Sequence, residues 1–217
     1  MKSNQLIILA GGKGTRLKDE TKDTPKPLVK LFNNLSILDI LLNKNISKFL
    51  KIYIFVGYKG SLIKRHINEN YSKSEKIIKV FEEKTPMGTG GVLSLHKNKL
   101  EDEFVVINGD TWFDFDLSQL KMLNKDSIVQ VLTTYSDNAS RYGSILVNES
   151  NKIKRFVEKQ HILGQYSGLI NSGCYLMKKD VVNYISSLPC SLEIDIFPTL
   201  VEKKYIEASI AEGRFID

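Results

Sequence analysis

QLIILAGGKGTRL, residues 5–17, is the stretch that decides the fold class of this chain. Gln5–Ala10 is almost wholly apolar and predicts a short, buried β-strand. Glycines follow at once, at positions 11, 12 and 14. Glycine adopts positive φ freely, and successive N–H groups in such a turn form a cradle for an anion. The stretch therefore predicts a strand that ends in a phosphate-binding loop, with an empty tight turn as the alternative.

The loop after this strand supplies candidate ligands for the phosphates of a nucleotide. Arg16 is a candidate catalytic residue because a guanidinium grips two phosphate oxygens at once. No Gly-Lys-Ser/Thr closes the loop, so it is not a Walker A loop, and the third glycine of a dinucleotide fingerprint is also missing. The candidate nucleotide-binding residues here are Leu9, Ala10, Gly11, Gly12, Lys13, Gly14 and Thr15.

Outside this stretch, apolar β-rich segments alternate with segments of helical spacing, which predicts an α/β fold. We expect one domain over residues 1–217, built on a mixed, mainly parallel sheet with helices on both faces. Residues 1–110 would form a nucleotide-binding half and residues 111–217 an acceptor half. Further strands are predicted at Ile52–Gly57, Ile77–Glu82, Phe104–Ile107, Ile128–Thr133, Ser144–Val147, Lys154–Glu158, Gly173–Met177, Ala208–Ala211 and Arg214–Asp217. Helices are predicted at Ser36–Phe49 (with Ser36 as N-cap), Gly60–Tyr71, Gly90–His96, Lys179–Leu188 and Leu192–Glu202.

The composition, 42% hydrophobic and 26% charged, is that of an ordinary globular protein. No run approaches the roughly 20 apolar residues of a membrane span, and the N-terminal apolar run is too short for a signal peptide. Cys174 and Cys190 lack metal-ligand spacing and are expected to be reduced and buried. The net charge of +6 is scattered, which argues against nucleic-acid binding. We therefore expect a cytoplasmic protein that binds neither nucleic acid nor membrane, and the sequence leaves the oligomeric state open, a homodimer included.

Thr24-Pro25-Lys26-Pro27-Leu28 places a lysine between two prolines. Proline fixes its own φ and restricts the residue before it, so Lys26 sits on a stiff backbone. Such a fixed cation suits a group that must meet a phosphoryl oxygen in a transition state. Taken alone, the segment is more typical of a surface turn with a solvated lysine.

The apolar strand Phe104–Ile107 ends in Asn108-Gly109-Asp110. An acid at a strand end is well placed to hold Mg²⁺, which takes one or two carboxylates together with substrate phosphates. An Asx-type turn without a ligand is the alternative for Asp110 in isolation.

Together, the glycine loop and the Pro-Lys-Pro element resemble the N-terminal signature of the sugar-phosphate nucleotidylyltransferases, LxxGGxGTRL followed by PKP. Further landmarks of that family appear in order along the rest of the chain: Tyr142-Gly143, Glu158-Lys159 and Asn171-Ser172-Gly173. The resemblance implies a Rossmann-like nucleotidyltransferase fold. It also implies a reaction in which a sugar 1-phosphate attacks the α-phosphorus of a nucleoside triphosphate, giving an NDP-sugar and pyrophosphate.

The same resemblance assigns roles to several residues. Lys26 becomes a catalytic residue, and Asp110 becomes both a catalytic residue and a Mg²⁺ ligand. A second metal-binding aspartate of the family matches Asp217, in Phe215-Ile216-Asp217. The residues that would bind the sugar phosphate are Tyr142, Gly143, Glu158, Lys159 and Asn171.

Glu83 stands where the family commonly has a glutamine that pairs with uracil or thymine, five residues before Gly88. A carboxylate only accepts hydrogen bonds, and guanine presents two adjacent donors, N1–H and N2–H₂. Uracil and thymine present one donor between two carbonyls, which a carboxylate would repel. We therefore predict GTP as the donor, with Glu83, Gly88 and Thr89 at the nucleoside; a solvated Glu83 is the alternative.

The short chain and the segment Glu83-Lys84-Thr85-Pro86-Met87-Gly88-Thr89-Gly90-Gly91 are similar to the D-glycero-D-manno-heptose-1-phosphate guanylyltransferase subgroup. That resemblance implies a heptose 1-phosphate acceptor and a role in surface polysaccharide synthesis. A molybdopterin guanylyltransferase has a similar start, but the Pro-Lys-Pro element and Glu158-Lys159 favour the sugar enzyme. The alternatives that stay open are a uridylyltransferase or a thymidylyltransferase acting on a hexose 1-phosphate, or a non-catalytic sensor of nucleotides or sugar phosphates with the same fold.

Overall fold

The computed structural model describes residues 3–12, 23–31, 34–114, 116–120, 124–142, 144–157, 166–213 and 215–216. The strands are β1 Gln5–Ala10, β2 Lys51–Val56, β3 Ile77–Glu82, β4 Glu103–Asn108, β5 Trp112–Phe113, β6 Val129–Ser136, β7 Ser144–Val147, β8 Ile153–Val157, β9 Gly168–Lys178, β10 Ile206–Ile210 and β11 Phe215–Ile216. The α-helices are α1 Ile37–Asn45, α2 Gly60–Tyr71, α3 Gly88–Leu95 and α4 Phe197–Glu202. Short 3₁₀ turns lie at Lys26–Leu28, Lys97–Lys99, Leu117–Gln119, Ala139–Arg141 and Lys179–Tyr184, and a π-helical turn at Leu192–Ile196.

The main sheet has the strand order β10-β6-β9-β4-β1-β2-β3, with β7 and β8 attached beside β9. β4, β1, β2 and β3 are parallel to one another, and β10 is parallel to β6. β9 lies between β4 and β6 and is antiparallel to both. The predicted α/β class with a mixed, mainly parallel sheet is confirmed. A separate two-stranded ribbon pairs β5 with β11.

Alternate residues of the central strands bury opposite faces of the sheet. Leu6 and Ile8 of β1 belong to a core with helices α1 and α2, whereas Ile7 belongs to a second core with α3 and α4. Because β1 is covered on both faces, it is apolar at every position after Gln5, as the sequence indicates. Cys174 and Cys190 are free and buried, as predicted.

Helix α1 begins with a reciprocal cap. Ser36 accepts a hydrogen bond from the N–H of Asp39, and the Asp39 carboxylate accepts from the N–H and hydroxyl of Ser36 at 2.9 and 2.6 Å. His66 and Tyr71 at the end of α2 also bond Asp39, at 2.6 and 3.0 Å. Burial raises the pKa of Asp39, but the bonds from Ser36 and His66 outweigh it and bring that pKa to about 2. This carboxylate joins helices α1 and α2.

Two predicted helices have different forms in the structure. The segment 179–188 forms only a 3₁₀ turn over Lys179–Tyr184, ahead of Pro189, since a helix rarely continues up to a proline. The segment 192–202 is divided into a π-helical turn and α4, because Pro198 has no N–H to donate to the preceding turn and instead suits the start of a new helix. The predicted strand at Gly173–Met177 is longer, Gly168–Lys178, since it pairs with β4 and β6.

Candidate active site

A cavity of about 1140 Å³ opens where β1, β2, β3 and β4 end. Open α/β sheets bind ligands beyond the carboxyl ends of their strands, so this is the expected place for a site. Nine predicted site residues line it: Leu9, Ala10, Gly11, Gly12, Lys26, Glu83, Gly88, Thr89 and Asp110. They come from five separate segments of the chain that the sheet brings together.

Other predicted site residues lie outside the described part of the chain. These are Lys13, Gly14, Thr15 and Arg16 of the loop, Gly143, Glu158 and Lys159 of the acceptor half, and Asp217. Their roles stay predictions.

Lys26 and Asp110 meet at the edge of the cavity. The Lys26 Nζ lies 3.1 Å from the Asp110 Oδ2, and the two side chains are 14% and 40% exposed. Lys26 begins a 3₁₀ turn directly after Pro25, whose backbone is extended. Asp110 is placed by Gly109, whose N–H donates to the Leu9 carbonyl at 2.8 Å and draws the end of β4 against the end of β1. The structure therefore joins two candidates that are 84 residues apart in sequence.

Asp110 has the chemistry of a magnesium ligand that shares the ion with substrate. Its carboxylate is partly exposed toward the cavity, and Mg²⁺ in nucleotide sites takes one or two carboxylates plus phosphate oxygens. Within the described residues, no cluster of three or more His, Cys, Asp or Glu side chains forms a metal cage. Ile216 of β11 pairs with Trp112 of β5, so the strand leading to position 217 runs beside the segment that follows Asp110.

Glu83 follows β3 and lies between the ends of β1 and β2. Its Oε2 accepts a hydrogen bond from the Met87 N–H at 3.1 Å. Its Oε1 packs against Gly57 and Gly11, where an added Cβ would come within 2.8 and 3.0 Å of that oxygen. Burial raises the pKa of Glu83 above its usual value, and the Met87 N–H partly opposes this rise. Glu83 is thus half-buried at the cavity wall, and one of its carboxylate oxygens is held by a backbone N–H.

The glycines at 88–91 have a packing role as well as a place at the cavity. Gly88 has a φ of +75°, and a Cβ there would overlap the carbonyl of Cys190. The N–H groups of Gly90 and Gly91 donate to that same carbonyl at 2.9 and 3.1 Å. Gly88 and Thr89 line the cavity. Gly88, Gly90 and Gly91 together leave room for the backbone of Cys190 to pack against them.

In the acceptor half, Asn171 sits at a β-bulge. Leu132 of β6 pairs with Cys174 but the next residue, Thr133, pairs with Asn171, so Ser172 and Gly173 bulge out of the ladder. The Asn171 Oδ1 accepts from the Gly173 N–H at 2.9 Å, and Gly173 has a φ of +70°. Bulges commonly re-aim side chains near active sites. The Asn-x-Gly landmark is therefore the local signature of this bulge.

Tyr142 packs edge-on against Phe215 of β11, with ring centroids 5.2 Å apart. It and Asn171 are not among the described residues that line the cavity. Asn171 lies two residues from Gly173, at which an added Cβ would come within 2.5 Å of the Nδ2 of the cavity residue Asn108.

Sequence reasoning missed several lining residues, among them Phe55, Gly57, Tyr58, Glu82, Lys84, Val92 and Asn108. Gly57 carried a usable signal, because it follows a buried strand just as Gly11 does. Phe55 and Val92 carried none, since their apolar side chains are typical of a core.

Comparisons with known proteins show the family to which the chain belongs. The family model described as "Nucleotidyl transferase" matches residues 5–214. The chain is 38% identical over 180 residues to the D-glycero-alpha-D-manno-heptose 1-phosphate guanylyltransferase of Campylobacter jejuni, covering 82% of this chain and 78% of that protein. It is 30% identical to the mannose-1-phosphate guanylyltransferase catalytic subunit beta of Xenopus tropicalis, covering 97% of this chain but only 60% of that protein. The crystal structure of HddC from Yersinia pseudotuberculosis complexed with GMP-PN superposes with a TM-score of 0.80 at 29% identity, covering 99% of this chain and 93% of that one.

Proposed function

The chain belongs to the nucleotidyl transferase family, and we propose that it transfers a guanylyl group from GTP to a sugar 1-phosphate. The products are a GDP-sugar and pyrophosphate. The observation that carries this proposal is that one cavity holds the Lys26–Asp110 pair, the glycines after β1 and a half-buried carboxylate, Glu83. The first two suit phosphoryl transfer, and the third suits a guanine base.

The reaction needs no nucleophilic side chain, because a phosphate oxygen of the acceptor attacks the α-phosphorus of GTP. Catalysis then rests on positioning and charge stabilisation. Lys26 offsets negative charge that grows at the α-phosphate. The backbone at Gly11 and Gly12 cradles the triphosphate, and Arg16 holds the departing pyrophosphate. Mg²⁺, when bound by Asp110 and Asp217 with the phosphates, supplies Lewis-acid stabilisation of the same charge.

Glu83 selects the base. Its carboxylate accepts hydrogen bonds from the N1–H and N2–H₂ groups of guanine. The carbonyl oxygens of uracil or thymine are themselves acceptors, so they would repel the carboxylate and leave it without a hydrogen bond. An unmatched polar edge in a buried site weakens binding by several kcal/mol. Support comes from the position of Glu83 at the cavity wall and from the guanine nucleotide named in the HddC complex.

A heptose 1-phosphate is the proposed acceptor, and surface polysaccharide synthesis in the cytoplasm is the proposed setting. The support is the 38% identity to the Campylobacter heptose enzyme, against 30% to the Xenopus mannose enzyme. Among the described residues, no helix has the length and apolar character to cross a bilayer.

Pyrophosphate release over a matrix of four nucleoside triphosphates and several sugar 1-phosphates, heptose and mannose included, tests the proposal. The wild type is expected to prefer GTP, and Glu83→Gln to lower kcat/KM for GTP by about 10- to 100-fold while that for UTP stays or rises. A wild-type preference for UTP or TTP would overturn the guanine assignment. The absence of pyrophosphate release with every pair would point to a non-catalytic sensor.

A further inference from the structure

Glu193 links segments from both halves of the molecule, although nothing in the sequence marks it. It lies in the π-helical turn Leu192–Ile196, partly buried beside the start of α3. Its Oε2 accepts hydrogen bonds from the hydroxyl of Thr89 at 2.9 Å and the hydroxyl of Ser191 at 3.0 Å. Its Oε1 accepts from the hydroxyl of Tyr175 at 3.0 Å. One carboxylate oxygen thus bonds Thr89 of the first half, and the other bonds Tyr175 of the second half.

Two partners of Glu193, Thr89 and Tyr175, lead to two different predicted substrate contacts. Thr89 lines the cavity at the start of α3, where the nucleoside is proposed to bind. The Tyr175 hydroxyl, which donates to Glu193, also accepts a hydrogen bond from the Asn171 Nδ2 at 2.8 Å. Asn171 is the proposed sugar contact at the β-bulge. A continuous chain of hydrogen bonds therefore runs Thr89, Glu193, Tyr175, Asn171.

The backbone around Glu193 makes this connection stiff. The Leu192 N–H donates to the Thr89 hydroxyl at 2.8 Å, so Thr89 is held as both donor and acceptor. The Cys190 carbonyl accepts hydrogen bonds from the N–H groups of Gly90 and Gly91. The N–H of Cys190 donates to the Met87 carbonyl at 2.8 Å. Tyr175 is fully buried, and its burial, together with the Glu193 carboxylate, raises its pKa well above the usual value, so it remains a donor.

We propose that Glu193 is a positioning residue that couples the two substrate subsites, fixing Thr89 at the nucleoside and, through Tyr175, Asn171 at the sugar. The inference rests on the proposed transfer reaction. Because hydrogen bonds in one connected network depend on each other, loosening one end must change the other end. Thr89→Val, a change on the nucleotide side, should therefore raise the KM for the sugar 1-phosphate as well as that for GTP.

A double-mutant cycle provides the test. The variants are Thr89→Val, Tyr175→Phe and their combination, each assayed for kcat and for both KM values with GTP and the best sugar 1-phosphate of the matrix. Each single change is expected to lower kcat/KM by about 3- to 30-fold. The double variant is expected to fall short of the product of the single effects by about threefold or more. In a Glu193→Gln background, which replaces one acceptor oxygen with a donor, that shortfall is expected to disappear.

Glu202→Gln on α4 is the matched control, since it makes the same substitution at an exposed position and is expected to change turnover less than twofold. Thermal unfolding of every variant separates loss of coupling from loss of fold; if Glu193→Gln fails to fold, the cycle in the wild-type background still decides. If the wild type is active and the loss of kcat/KM in the double variant equals the product of the losses in Thr89→Val and Tyr175→Phe, the coupling is overturned but the proposed function is not. A wild type without turnover would overturn the proposed function and the coupling with it.

Discussion

The two halves of the molecule place their polar groups by different means. In the first half, candidate site groups follow the carboxyl ends of parallel strands of one sheet: Gly11 after β1, Glu83 after β3 and Asp110 after β4. In the half that follows, Asn171 lies within β9, an antiparallel strand, and is turned by a bulge. In the first half, the candidate site residues therefore lie in loops that follow regular strands. In the second half, Asn171 lies within a strand whose pairing is interrupted by the bulge.

This difference explains how each half depends on the other. Groups at parallel strand ends are positioned by the sheet itself. Asn171 instead relies on the chain of bonds through Tyr175 and Glu193 to Thr89, which belongs to the first half. We expect substitutions in the first half to act on chemistry directly, and those in the second to act through hydrogen-bond partners.

The largest effect should come from the Lys26–Asp110 pair, where the first half carries the chemistry. Lys26→Ala or Asp110→Ala is expected to lower kcat by about 10²- to 10³-fold, because Lys26 is the cation proposed to offset charge at the α-phosphate and Asp110 is the carboxylate proposed to hold Mg²⁺. Pyrophosphate release measures this, with thermal unfolding to verify the fold. Asp116→Asn, which breaks the exposed Lys48–Asp116 pair at 2.9 Å, is the control and should leave kcat within about twofold. Near-wild-type turnover in either alanine variant would refute the assignment.

The next effect concerns the contact between the two halves at which Gly88, Gly90 and Gly91 pack against the backbone of Cys190. Gly88→Ala is expected to lower the free energy of unfolding by about 3 kcal/mol, since alanine is strained at a φ of +75° and its Cβ would overlap the Cys190 carbonyl. For Gly12→Ala, no described atom lies within 4 Å of the new Cβ, so stability should hold while the KM for GTP rises. Urea unfolding and steady-state kinetics distinguish the two. Equal stability losses would show that the glycine run is not a packing contact.

A smaller effect separates folding from chemistry inside the first half. Asp39→Asn is expected to lower the free energy of unfolding by about 2 kcal/mol at neutral pH, because the folded-state pKa near 2 lies below the usual 3.8. A depressed pKa stabilises the fold above the unfolded-state value, so the difference from wild type should shrink as pH falls from about 4 through about 2. Urea unfolding against pH measures it, with the exposed Asp126→Asn as control. A difference that stays constant with pH would contradict this origin.

The smallest effect is the pH dependence of base recognition. Only an ionised Glu83 can accept from both guanine donors with its two oxygens, because protonation turns one of these oxygens into an O–H donor. Burial raises the pKa of Glu83, so its protonation should begin at a higher pH than for an ordinary glutamate. The KM for GTP is expected to rise about two- to fivefold more in wild type than in Glu83→Gln when the pH is lowered from about 7.5 to about 5.5. Comparison with Glu83→Gln removes the titration of GTP itself. Parallel pH profiles would leave Glu83 without a role in binding the base.

Prediction from sequence succeeded where local patterns decide the outcome. The strand Gln5–Ala10, helix α2 and the capping role of Ser36 were predicted as found, because apolar periodicity and cap chemistry are local. Lys26 and Asp110 received their predicted roles only through family resemblance, and their contact was not predicted, since no local signal joins residues that are 84 positions apart. Glu193 was not found at all. Its partners Thr89 and Tyr175 meet only once the sheet has formed, and a glutamate in a helical segment has no distinctive pattern.

The place of β9 in the sheet has a consequence for synthesis of the chain. β1 to β4 can pair as soon as Asn108 has been made, but the other neighbour of β4 is β9, which ends about 70 residues later at Lys178. At 5–20 residues per second, the ribosome needs roughly 4 to 14 seconds to reach it. During that time the nascent chain carries an open edge along the apolar residues Phe104–Ile107, and such an edge is where chains pair wrongly with one another.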